Sequence, residues 1–405
     1  MANVHQVNTF SFRLQRKLQE HFAADPTGWS FFKYAAKWFF MKLRRKGNEL
    51  FIRQPQISDN GDLVKIAVKI TGGLGDYIVL GRILKNLLAV IENAECYIFV
   101  PNTEYAEWIF KNVPEVKEIY PEIFWDKCRQ NCDCSLFLNT FVFFDEQNVN
   151  IQKIKKVAPR LLEIFSNTVR NHSIWTIYIE NHPVLDGAFA RQAVVLGYNR
   201  YSFINHCLGI QCSGYSFDLP LCNEEAMSVA AKFPQYVTVN AGFDHQFVIS
   251  SRFATKCYPV EYWEALVKLI KDNFPRIGVV QIGGKNSPSI NGCDIHYEKK
   301  LSLSQSAGIL KKSLLHIDIE GGLVHICAAL GTKCAVLFGP TSKKYFSYTK
   351  NLNILAGECH DCWWATERWM ECCPGKKERN ECMYKLMPEL VFEKIKPELD
   401  KFNNL

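Results

Sequence analysis

The chain has no run approaching the roughly 20 uninterrupted apolar residues that a membrane-spanning helix needs, which argues against an integral membrane protein of that kind. Its first residues, MANVHQVNTFSFRLQRKLQ, have no apolar core ending in a small-residue cleavage site and do not read as a secretory signal. A cytoplasmic protein is expected, with the inner face of the membrane as its outer limit. There is no internal repeat and no low-complexity segment to guide the reading. The net charge of +7 is modest for 405 residues and is not gathered into a patch, so it argues for no nucleic-acid partner while suiting an anionic ligand. Sixteen cysteines are many, but they are spread along the chain, and several, such as Cys327 and Cys334, sit in apolar stretches. They read as buried free thiols rather than a disulfide framework.

What is present is the balance of a soluble globular protein, 48% hydrophobic and 22% charged, with a length suited to two domains. Up to residue 60 the sequence mixes aromatics with basic residues and ends in Lys42, Arg44, Arg45 and Lys46. Helical spacing of Trp29, Phe32, Trp38 and Phe39 predicts a helical appendage packed on the main domain or on another subunit of a homo-oligomer. A helix on an anionic membrane surface is the alternative. Beyond it, VKIAVKI (Val64 to Ile70) predicts a strand, GGLGD a loop and YIVLGRILKNLLAVI a helix, and CYIFV follows as a second strand. Such alternation requires a parallel sheet. The stretch from Lys153 to Asn205 reads as helical.

The alternation starts again at YVTVNAG (Tyr236 to Gly242), and strands and helices succeed one another up to CAVLFGP. The expected fold class is therefore α/β, with two doubly wound, Rossmann-like domains facing each other across a ligand cleft. The expected divisions are residues 1–60, 61–215, 216–358, a cysteine-rich module at 359–385 and a last helix at 386–405.

Gly72, Gly73 and Gly75 lie between a strand and a helix, where backbone amides can face an anion. The dinucleotide fingerprint would place a third small residue three positions after Gly75, and Ile78 stands there, which disfavours a nicotinamide or flavin enzyme. A tight turn alone accounts for the glycines. Asp76, at the opening of an apolar helix, is a candidate proton acceptor for an attacking hydroxyl, with a plain helix-capping role as the competing reading. In the second loop, Glu320, Gly321 and Gly322 close a strand and open a helix, and His325 follows one turn in. A diphosphate on those amides with His325 as a neighbouring donor competes with a simple core histidine.

The stretch IEGGLVHICAALGTKCAVLFGPTS resembles the donor-binding signature of glycosyltransferase family 9, the heptosyltransferases, and GGLGD resembles the family's first loop. NAGFDHQFVISSRFATKCYPVEYWEALVKLI, between them, resembles the loop that carries a phosphate-binding lysine. The resemblance runs from about residue 64 to about residue 390. It implies the GT-B type of paired Rossmann-like domains, with Asp76 as catalytic base and Lys256 on the nucleotide-sugar diphosphate. Gly73, Gly75, Glu320, Gly321, Gly322 and His325 would line the ligand sites. Two positions depart from the family's pattern: Glu320 stands where aspartate is usual, and Gly321 where threonine or serine is usual. The implied reaction is a single inverting displacement on ADP-heptose that needs no divalent metal, since Lys256 and helix-end amides meet the charge of the leaving diphosphate.

Near the C-terminus, GECHDCWWATERWMECCPGKKERNECMYKL places Cys359 and Cys362 in a C-x-x-C, followed by Cys372, Cys373 and Cys382. Thiolates from neighbouring short turns suit a closed tetrahedral site for zinc or iron, and the spacing favours zinc. The run also resembles that of the iron-containing heptosyltransferases that modify bacterial autotransporters, which implies iron on Cys359, Cys362, Cys373 and Cys382 with Cys372 as the spare. Cys128, Cys132 and Cys134, with no fourth member in view, read as free thiols. The acceptor stays open between serine and threonine of an autotransporter protein and a sugar of the lipopolysaccharide core. A hexose or N-acetylhexosamine donor, or a non-catalytic scaffold that binds sugar nucleotides, are the alternatives.

Overall fold

The computed structural model describes residues 62–403, apart from 183–184, 243–253, 285–286, 298–299, 366–368 and 376–379, together with a few positions before residue 62. The expected helical appendage over residues 1–60 lies almost wholly outside the described residues. The chain divides into two units, Met1–Ser213 and Gly214–Leu405. Among the described residues no helix is long and apolar enough to cross a membrane.

The first unit holds five strands: β1 (Val64–Ile70), β2 (Ala94–Val100), β3 (Val116–Pro121), β4 (Cys134–Leu138) and β5 (Val142–Val149). Their order is β3-β2-β1-β4-β5. All neighbours run parallel except β4 and β5, an antiparallel pair joined by a short turn. This edge hairpin departs from the purely parallel sheet expected, because Asn139–Phe141 is far too short for a crossover. Six of the seven residues of β1 are buried, as a strand covered on both faces must be. The helix Leu74–Leu88 buries 11 of its 15 residues, Arg82 and Asn86 among them, which accounts for the apolar run from Tyr77 to Leu80.

The second unit carries β6 (Tyr236–Val239), β7 (Gly278–Gln281), β8 (Ile295–His296), β9 (His316–Ile319), β10 (Cys334–Leu337) and β11 (Leu352–Ile354). They are ordered β11-β10-β9-β6-β7-β8, and every pairing is parallel. Counted from its own first strand, this is the doubly wound order with its reversal between β6 and β9. In the first unit the reversal falls between β1 and β4. Ligands of such sheets bind outside the carboxyl ends of the strands at the reversal, so the two places to search are the loops after β1 and β4 and those after β6 and β9.

The second core gathers Val237, Trp263, Val267, Ile317 and Leu337 with Cys382, Met383, Val391, Ile395 and Leu399. The end of the cysteine-rich stretch and the last helix, Pro388–Asn403, are thus part of one apolar core with the sheet. Each such side chain contributes about 1.5–3 kcal/mol on burial. Packing is tight where the helix Leu303–Lys312 approaches the preceding chain: a Cβ on Gly308 would stand 2.0 Å from the Cys222 carbonyl oxygen.

Candidate active site and cysteine module

At the end of β1 the chain turns through Gly72, whose φ of +119° suits glycine and whose added Cβ would lie 2.4 Å from the Asp76 Oδ2. The helix begins at Leu74, earlier than the apolar pattern alone indicates. Asp76 therefore falls at its third position, where its Oδ2 accepts the Gly73 N–H at 2.7 Å. The capping role is real. The other oxygen, Oδ1, accepts from Nη2 of Arg200, the first residue of the helix Arg200–Leu208. Asn199 caps that helix by accepting the amides of Tyr201 and Ser202 at 3.1 and 3.0 Å, which fixes where the arginine emerges. The Arg200 side chain is 9% exposed and that of Asp76 is 32% exposed. A carboxylate with one oxygen on a helix amide and the other on a guanidinium, still open to solvent, is fixed in direction and reachable. No motif marks Arg200 in the sequence, and only the fold brings it to Asp76.

In the second unit, Lys256 reaches from the chain leading into the helix Val260–Asn273 to the residue that follows β9. Its Nζ donates to the Glu320 carbonyl oxygen at 2.9 Å and to Glu320 Oε2 at 3.3 Å. Glu320 Oε1 lies 3.3 Å from His325 Nε2, and His325 Nδ1 lies 2.8 Å from the Tyr348 hydroxyl. A carboxylate only accepts, so Nε2 carries the proton toward Glu320, and in the neutral ring the tyrosine donates to Nδ1. Both glycines open the helix Gly322–Leu330, and its N-cap, Gly321, provides no side-chain cap for the first amides. Gly321 has an extended φ of −173°, and a Cβ there would meet only the Ile319 carbonyl oxygen, at 3.7 Å. Sterics therefore do not demand glycine at this position. Lys256, Glu320, Gly321, Gly322 and His325 thus meet at the carboxyl edge of β9, beside the strand reversal. Cation, carboxylate, imidazole and exposed amides form a polar cradle of the kind that holds a phosphate group at a helix start. Gly73, Gly75 and Asp76 belong to the first unit.

A buried polar chain underlies this cradle. Asn240 Nδ2 donates to both oxygens of Asp318 at 3.1 Å, Asp318 accepts the Ile319 amide at 2.7 Å, and Asn240 Oδ1 accepts the Gly242 amide at 2.8 Å. Burial raises the Asp318 carboxyl above its ordinary value against the pull of His316 and Asn240. These bonds tie the end of β6 to the end of β9 directly under Glu320.

The cysteine module folds against the loop after β10. Trp363 N–H donates to the Pro340 carbonyl at 2.8 Å, and a Cβ on Gly339 would stand 3.1 Å from Cys382 Sγ. Asp361 and Trp364 both have positive φ, 62° and 65°, so the turn around Cys362 is held in a conformation that costs energy for non-glycine residues. Burial pushes the Cys362 thiol up to about 11, with Cys373 and Cys359 adding to the shift. Burial likewise lifts Cys382 to about 12, and Cys359, Cys362 and Cys373 add to it. Cys373, not Cys372, is therefore the neighbour these thiols feel. Both thiols are raised chiefly by burial, with neighbouring thiols adding to it, and a bound cation would offset both by stabilising the thiolates. Among the described residues no three of these sulfurs lie within 4.8 Å of one another. Thiolates on one tetrahedral ion, at about 2.3 Å per bond, stand about 3.8 Å apart, so metal binding requires the side chains to turn inward.

The other cysteine group gains a member that the sequence hides. Cys96 on β2 and Cys134 on β4 both pair in register with Ile66 of β1, and Cys132 and Cys134 each raise the Cys96 thiol further after burial has done most. Cys128, Cys132 and Cys134 are buried and shifted up chiefly by burial. They are apolar core thiols.

Residues 199–372 match the model of glycosyltransferase family 9 (heptosyltransferase). No curated protein is significantly similar in sequence. Solved structures share the fold at low identity. A family 9 glycosyl transferase from Veillonella parvula is 14% identical, with a TM-score of 0.52 over 86% of this chain and all of its own. The E. coli ADP-heptose lipopolysaccharide heptosyltransferase II is 15% identical, with a TM-score of 0.50 over 84% of this chain and 99% of its own. The dodecameric iron-containing heptosyltransferase TibC, in complex with ADP-D-β-D-heptose, is 13% identical, with a TM-score of 0.55 over 84% of this chain and 77% of its own.

Proposed function

From the match of residues 199–372 to the glycosyltransferase family 9 model, we propose that this chain is a glycosyltransferase that transfers heptose from ADP-heptose to an acceptor hydroxyl with inversion. The observation that carries this reading is the cradle of Lys256, Glu320 and His325 beside the open start of the helix Gly322–Leu330. The donor's diphosphate would rest on the first amides of that helix and on the Lys256 ammonium, which meet the charge that develops as the nucleoside diphosphate leaves. Glu320 engages both Lys256 and His325 through its carboxylate oxygens.

In the first unit, Asp76 is the group that would accept the acceptor's proton. Gly73 and Arg200 hold its two oxygens, so the carboxylate needs little reorganisation to receive the hydroxyl. Cys359, Cys362, Cys373 and Cys382 would hold iron, with zinc as the alternative; four protein thiolates close the ion's coordination, so what it supplies is structural cross-linking of the loop.

TibC and heptosyltransferase II are described with ADP-heptose, which supports that donor here. The acceptor class is proposed as protein serine or threonine, on the strength of the cysteine module, with a lipopolysaccharide core sugar as the second reading. The test is release of nucleoside diphosphate from a panel of ADP-heptose, UDP-N-acetylglucosamine and GDP-mannose. The expected result is turnover of ADP-heptose alone. Turnover of a UDP- or GDP-sugar in preference would overturn the donor assignment and leave the transferase standing.

A further inference from the structure

We propose that Trp363 and Asn380 are positioning residues for Lys256, and that the cysteine module in this way sets the protein's affinity for a nucleoside diphosphate. The proposal rests on the reading of Lys256 as the diphosphate ligand.

The module grips the three residues 255–257 from both sides. Thr255 N–H donates to the Met370 carbonyl at 2.7 Å, and its hydroxyl donates to the Trp369 carbonyl at 2.8 Å. The Asn380 amide donates to the carbonyls of Thr255 at 2.7 Å and of Cys257 at 2.9 Å. Four hydrogen bonds therefore straddle the lysine and fix its backbone to the module. Above them the Trp363 ring lies 5.0 Å from Lys256 Nζ, a cation–π distance, and Trp363 is itself buried and braced edge-on by Trp369 with ring centres 4.2 Å apart. The ammonium is thus confined between an aromatic face and the two Glu320 oxygens.

Each anchor sits close in sequence to one of the proposed ligand cysteines. Trp363 follows Cys362 directly, Trp369 and Met370 shortly precede Cys373, and Asn380 shortly precedes Cys382. Cross-linking the cysteines therefore holds the separate pieces of chain that hold the lysine. A long flexible side chain ordered before the ligand arrives loses little freedom on binding, and that preorganisation appears directly as affinity. Loss of the aromatic wall or the Asn380 clamp should weaken nucleoside diphosphate binding about tenfold, without any contact to the ligand being removed.

The experiment is isothermal titration of ADP into the full chain and its variants, each checked by circular dichroism and metal content. Lys256→Gln tests the underlying reading, and binding equal to wild type, or a wild type that binds no ADP, removes that reading and this proposal with it. With Lys256→Gln weakened, Trp363→Leu and Asn380→Ala should each lose about tenfold. Trp363→Phe should recover most of the loss, and Trp363→Leu should have no further effect in the Lys256→Gln background. Chelation should reproduce the Trp363→Leu loss. Where Trp363→Leu does not fold, Trp363→Phe and Asn380→Ala decide. Folded variants that bind ADP like wild type, or a Trp363 effect that simply adds to that of Lys256→Gln, overturn the proposal.

Discussion

Arg200 donates to Asp76 across 124 positions of sequence, and together with the Gly73 amide it occupies both oxygens of the one carboxylate at the strand reversal of the first sheet. The capping reading and the catalytic reading of Asp76 are therefore compatible, since the bonds that cap the helix also aim the group.

Arg200→Gln frees Oδ1 and lets the carboxylate rotate about its remaining bond to Gly73. The expected outcome is a kcat about tenfold lower with donor affinity unchanged, because the residues proposed to bind the donor belong to the other unit. Steady-state rates combined with donor titration check this; a variant with unchanged kcat means that Arg200 is a structural partner only.

The two glycines Gly321 and Gly308 should respond in opposite directions. Gly321→Ser introduces a helix N-cap at an extended φ with room for its Cβ, and is expected to raise unfolding stability by a few tenths of a kcal/mol. Gly308→Ala drives a methyl into the Cys222 carbonyl at 2.0 Å and is expected to cost about 1–3 kcal/mol. Denaturant unfolding of both variants is the check.

The spare cysteine is distinguished by metal content. Cys373→Ser should lose the bound metal measured by plasma mass spectrometry, and Cys372→Ser should retain it. The contrast follows from Cys373, and not Cys372, being a charge neighbour of both Cys362 and Cys382.

Burial alone would raise Glu398, but its ion pairs with Lys333 at 2.6 Å and Lys401 at 2.7 Å outweigh that and lower it. A carboxyl lowered in the folded state contributes stability that is present above its unfolded value of about 4.3 and is lost as pH falls through the folded value. Lys333→Ala should therefore unfold more easily than wild type at pH 7 by about 1 kcal/mol, and the difference should shrink at pH 3. An undiminished difference at pH 3 would assign the effect to packing of the Lys333 stem.

Much of the fold is legible in the sequence because β1, β6 and the runs around Glu320 announce themselves by apolar runs bounded by glycine. The edge strand β5 is not, since VFFDEQNV mixes charge with apolar residues along a half-exposed edge. The site divides along the same line. Lys256 and Glu320 each lie in a recognisable loop and His325 one turn into the helix that follows Glu320, but their joining through Glu320 depends on side-chain reach. Arg200, Trp363 and Asn380 carry no motif for these roles, and they matter through contacts made only after the chain has folded.

The most direct test of the account is the rate of ADP release from saturating ADP-heptose by Asp76→Asn, measured beside its affinity for the donor. The expected result is donor binding as in wild type, with turnover lower by a factor of about 10²–10⁴. Turnover equal to wild type would contradict Asp76 as the group that takes the acceptor's proton.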